Sequence, residues 1–91
     1  MDVKEKLIAS GYSEVQANIV IDKLSKVDEE FKDGIQNWVD CGKMIEFTID
    51  QINTTSLMRQ YGLSYPAAVL TLDWVKRDPA AAKEAIKRGI K

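Results

Sequence analysis

Apolar residues recur at three- and four-residue intervals along most of this chain, and that spacing predicts short amphipathic helices. Asp2 can cap a first helix that carries Val3, Leu7 and Ile8 on one face and ends near Ser10. Gly11 supplies a stop, because glycine enters the left-handed conformation at little cost. Ser13 and Gln16 have the spacing of a capping box and open a second helix from about Glu14 to Lys26. Val15, Ala17, Ile19, Val20, Ile21 and Leu24 make that helix apolar over much of its circumference, which predicts a central position. Asp28 can cap a third helix, with Glu29 and Glu30 in the first turn, where the dipole favours acids. Phe31, Ile35, Trp38 and Val39 form its apolar stripe, and Gly42 ends it.

Residues 43–47 read as a joint. Thr48 and Gln51 again have capping-box spacing and predict a helix running towards Tyr61, weakened by the poor helix formers Asn53, Thr54, Thr55 and Ser56. Gly62 ends it. Ser64 can cap the next helix, with Pro66 tolerated in its first turn and Tyr65, Ala68, Val69, Leu72 and Val75 on one stripe, Trp74 at its edge. Asp78 and Pro79 restart the chain as cap and first helical residue. The last helix turns Ala82, Ala85 and Ile86 inward and closes at Gly89. Met44 to Ile49 could be extended but has no evident pairing partner, so no strand is predicted.

The pattern is doubled. A shift of 51 residues lays Gly11, Ser13, Ala17, Asp22 and Ile35 on Gly62, Ser64, Ala68, Asp73 and Ile86. Lys26 falls on Arg77 in the same register. Such a repeat sets the folding unit. The expected fold is all-α: six or seven short helices in two related three-helix units, 1–42 and 48–91, packed together on one core. A chain of 91 residues has a modest core, and a homodimer could extend it.

Composition sharpens this only in places. Apolar content of 45% and charged content of 30% suit a folded globule and argue against disorder. The net charge of −1 points to no anionic or cationic partner. The charge is unevenly spread, however. Residues 1–47 hold six Lys/Arg against ten Asp/Glu, and residues 48–91 hold seven against four. Either the opposite charges solvate or attract each other, or the C-terminal half offers a basic face. Cys41 is the one cysteine, which excludes an internal disulfide, and it is expected in the core. A buried free thiol suits a reducing compartment, and no secretory leader or membrane span is evident, so a cytoplasmic location is expected.

Residues 3–42 resemble a ubiquitin-associated (UBA) domain, a three-helix fold of about forty residues. The loop Ser10-Gly11-Tyr12 is similar to that family's Met-Gly-Phe/Tyr loop, and Ala17 and the run Ile35-Gln36-Asn37-Trp38-Val39 fall at matching places. Residues 58–89 follow the same plan more loosely, with Tyr61-Gly62-Leu63, Ala68 and Ile86. The resemblance implies an exposed apolar patch at Gly11, Tyr12, Trp38 and Val39. Ser10 stands where the family has methionine, Asp40 where a second leucine is common, and Lys43 follows close by.

Chemistry is sparse. With no histidine, the chain lacks the commonest base and transition-metal ligand near neutral pH. Cys41 then has no partner to activate it. The acids Asp28, Glu29, Glu30 and Asp33 are explained by a helix start. The glycines are scattered, with no phosphate loop. The chain therefore reads as non-catalytic, without metal or cofactor: a protein-interaction or adaptor module anchored by Tyr12, Trp38 and Val39 in the first unit and Tyr65 and Trp74 in the second. Each tryptophan also fits a core edge. The alternative is a nucleic-acid-binding regulator. Residues 57–77 have helix-turn-helix spacing, which would turn Tyr65, Ala67, Thr71 and Lys76 outward. Lys76, Arg77, Lys83, Lys87 and Arg88 could then meet phosphates.

Overall fold

The computed structural model describes residues 2–89. Among them are six α-helices and one two-stranded hairpin: α1 (Val3–Ala9), α2 (Glu14–Leu24), α3 (Glu29–Cys41), β1 (Thr48–Ile49), β2 (Ile52–Asn53), α4 (Thr54–Tyr61), α5 (Tyr65–Arg77) and α6 (Pro79–Arg88). The chain divides into two compact units, Met1–Ile45 and Glu46–Lys91. The expected all-α architecture is what forms, with a hairpin added.

In the first unit, α1 packs on α2 and α3. Asp2 caps α1 by accepting from the Glu5 amide at 2.8 Å. At the other end the Tyr12 amide donates to the Leu7 carbonyl and the Gly11 amide to the Ile8 carbonyl, both at 3.1 Å. This is a Schellman ending, and it requires the φ of +108° that Gly11 supplies. The capping box at Ser13 forms in both directions: Ser13 Oγ accepts from the Gln16 amide and Gln16 Oε1 from the Ser13 amide, each at 3.1 Å. Asp28 opens α3 through its backbone carbonyl, which accepts from Phe31 and Lys32. The buried apolar side chains are Leu7, Ala17, Leu24, Val27, Phe31, Ile35, Trp38 and Val39, and Gly34 is buried among them on α3.

Two expectations fail here. Helix α2 is not central: Ala17 and Leu24 are buried, but Val15 is 69% and Ile19 52% exposed. The apolar residues of this helix make two faces, and only one is covered. Cys41 is exposed instead of buried, because it is the last residue of α3 and the chain turns away at Gly42, which is left-handed.

In the second unit, α5 packs against α4, α6 and β1. Eight of its thirteen residues are buried: Tyr65, Pro66, Ala68, Val69, Thr71, Leu72, Asp73 and Val75. Ser64 caps it, accepting from the Ala67 amide at 3.3 Å, and Asp78 caps α6, accepting from Ala81 at 3.3 Å. Thr54, Leu57 and Ala82 complete the buried set from the flanking helices.

The helix expected to begin at Thr48 does not. Thr48 pairs with Asn53 and Ile49 with Ile52 in antiparallel register. The turn between them consists of Asp50 and Gln51, at φ +50° and +69°, the positive pair of a type I′ hairpin. The helix starts only after Asn53, whose side chain accepts from the Ser56 amide at 2.7 Å.

Candidate functional site

The expected apolar contacts separate into covered and open residues. Trp38 is 8% exposed, and the Lys6 ammonium sits 5.3 Å from its ring centroid, a cation–π distance. Val39 is buried beside it, and Tyr65 is buried in the second unit. Those three belong to the cores. Gly11 is exposed and Tyr12 half-buried. Trp74 stands 39% exposed on α5. A patch formed jointly by Gly11, Tyr12, Trp38 and Val39 is therefore not an open apolar surface.

Open apolar surface lies elsewhere in the first unit. Val15 and Ile19 sit one helical turn apart on α2, so their side chains stand on the same outward stripe. Ile8 on α1 is also exposed. Sequence reasoning set Ile8 on the apolar face of α1 and expected α2, with Val15 and Ile19, to be central, since it cannot tell a helix that is covered all round from one with two apolar faces. The only signal was that α2 has more apolar positions than one stripe holds.

The basic residues are exposed, and most are engaged locally. Arg77 pairs with Asp73 at 3.0 Å, Lys83 with Asp50 at 3.3 Å and Arg88 with Glu84 at 3.1 Å. Lys76 and Lys87 are exposed as well. Residues 54–77 form α4, a turn through Gly62, and α5, which packs on α4. Yet the start of α5, which would face a groove, is mostly inside. Tyr65 and Thr71, expected outward, are buried, and the Thr71 hydroxyl donates back to the Ala67 carbonyl at 2.8 Å. The apolar residues that make the hairpin of helices pack also occupy the base-reading side.

One polar cluster stood out of reach of the sequence. The Glu46 carboxylate folds over the start of α4, accepting from the Thr54 hydroxyl at 2.5 Å and the Thr55 amide at 2.9 Å. The Thr55 hydroxyl donates to its other oxygen. Thr54 in turn accepts from the Phe47 amide at 3.2 Å and donates its own amide to the Phe47 carbonyl at 3.1 Å. The hydrogen bond from the Thr54 hydroxyl, then those from Thr55, hold the Glu46 pKa below the usual 4.5. The arrangement is a helix cap supplied from the segment that precedes the hairpin. A shallow polar depression beside it is lined by Asn53, Ser56, Arg59 and Gln60.

Among the described residues no group of three or more His, Cys, Asp or Glu is placed to hold a metal ion. No helix among them is long and apolar enough to cross a membrane. Comparison with models of protein families, with curated proteins and with solved structures finds no significant match to this chain.

Proposed function

We propose that the chain is a non-catalytic protein-interaction module, and that its main contact is the outward stripe of α2. The carrying observation is the pair Val15 and Ile19, aliphatic side chains more than half exposed on one helix face. Isolated apolar residues on a surface need no explanation, but two in register on a helix offer a partner a ready ridge. Glu14 and Asp22 flank that stripe. Each is paired within the unit, Glu14 with Lys4 at 3.1 Å and Asp22 with Lys26 at 3.4 Å, so the charge preference rests on the acidic surplus of residues 1–47, which favours a partner that presents aliphatic side chains ringed by lysine or arginine. The three-helix plan of the first unit is compatible with a UBA-like module. Its contact would then differ from the loop-and-helix-end patch of that family, since Trp38 and Val39 are covered.

The regulator reading has less support, because the start of α5 is buried and Arg77, Lys83 and Arg88 are ion-paired. The test is site-specific photocrosslinking in cells with benzoylphenylalanine at position 19 and, as control, at the exposed position 33. The expected outcome is a discrete protein adduct from position 19 alone, lost when Val15→Asp is introduced. An adduct that survives Val15→Asp, or none at all, overturns the proposal.

A further inference from the structure

The first unit contains a groove of about 330 Å³ on a different side of α2 from Val15 and Ile19. Val3 of α1, Ile21 and Leu24 of α2, and Ile35 of α3 line it, with Ser25, Lys32 and Gln36 as its polar members. Its volume falls in the range of small-ligand pockets. The polar members are not equivalent. The Ser25 hydroxyl donates to the Asp22 carbonyl at 2.6 Å, and the Gln36 amide donates to Asp40 at 2.9 Å. Lys32 differs: it is half-buried, and among the described residues its ammonium has no hydrogen bond or ion pair. A lysine beside aliphatic walls with no carboxylate of its own is the one unmet charge of the groove.

We infer that this groove binds a small aliphatic monocarboxylate, the chain against Val3, Ile21, Leu24 and Ile35 and the carboxylate on the Lys32 ammonium. The chemistry of the lining narrows the class. A peptide strand would need several donors and acceptors along its backbone, and besides Lys32 the groove offers only Ser25 and Gln36, each with a donor already spent within the unit. A ligand whose polar atoms gather at one end needs only Lys32. A phosphate or other polyanion would meet the acidic surplus of this half of the chain with a single cation to balance it. A monoanion asks for no more than one.

The full chain, labelled with nitrogen-15, is titrated with sodium octanoate, octylammonium chloride and sodium acetate, and amide shifts are followed. Octanoate gives saturable shifts centred on Ile21, Leu24, Ile35 and Gln36, while octylammonium binds about tenfold more weakly or worse. Acetate, which has the head without the chain, gives none. In Lys32→Glu the preference reverses towards octylammonium, and Lys32→Gln loses it; circular dichroism confirms that each variant remains helical. Absence of saturable octanoate shifts overturns the inference, as does equal affinity for the two amphiphiles or a preference that survives both substitutions. Because Val15 and Ile19 lie outside the groove, this result is independent of the contact proposed above.

Discussion

Glu46 illustrates how far one side chain can reach into the local fold. Helix α4 begins with two threonines and a serine, all weak helix formers, and its first amides would otherwise face water. Asn53 satisfies one and Glu46 another, while the Glu46 charge also lies at the positive end of the helix dipole. Replacing Glu46 by Gln is expected to lower stability by about 0.5–1 kcal/mol at neutral pH, the modest end of the range for helix caps because the carboxylate is open to solvent. The pH dependence has a definite sign. Since folding lowers the pKa of Glu46, its contribution is fully present above 4.5 and is lost as acid protonates the folded carboxylate. Thermal unfolding of parent and Glu46→Gln should therefore differ at pH 7 and converge towards pH 3. A gap that persists unchanged in acid would assign the effect to packing instead.

At the scale of elements, the hairpin and the helix after it competed for the same residues. Thr48 and Gln51 carry a capping-box spacing, but Asn53 begins a second, better supported start. The choice is made by contacts that no local pattern reports: Glu46 and Phe47 meeting Thr54 and Thr55, seven to nine residues away in sequence. Local signals were enough elsewhere. Ser13, Ser64 and Asp78 cap where their spacing predicts, Gly11 and Gly62 turn left-handed, and the stripes of α3 and α5 face inward. At the two positions that the 51-residue shift matches, Asp22–Lys26 and Asp73–Arg77, an ion pair forms one turn apart. The candidate contacts were less legible. Burial of Trp38 and Tyr65 and exposure of Val15 and Ile19 depend on which neighbours lie against each helix, and apolar spacing is silent on that. The turn itself carries a correctable cost. Gln51 sits at φ +69°, where a side chain is strained and glycine is not. Gln51→Gly should raise stability by about 0.5–1 kcal/mol in chemical denaturation, leaving the helical signal unchanged.

For the molecule as a whole, each unit has its own buried set, and the placement of the two tryptophans follows from that. Trp38 lies under the Lys6 ammonium in the first unit, while Trp74 is partly open on α5 of the second. A chain of this size has a stability of about 5–15 kcal/mol, and removing a wholly buried ring costs about 3–5. Phe31→Ala, which empties such a site in the first unit, should therefore lower the denaturation midpoint steeply. In a Trp74→Phe background the remaining indole emits at short wavelength and resists iodide quenching until that unit opens. The complementary Trp38→Phe chain emits further to the red and is quenched from the outset. The protein thus comes with one intrinsic fluorophore for each half. An experimenter can follow either half through heating, acid or ligand addition without attaching a dye.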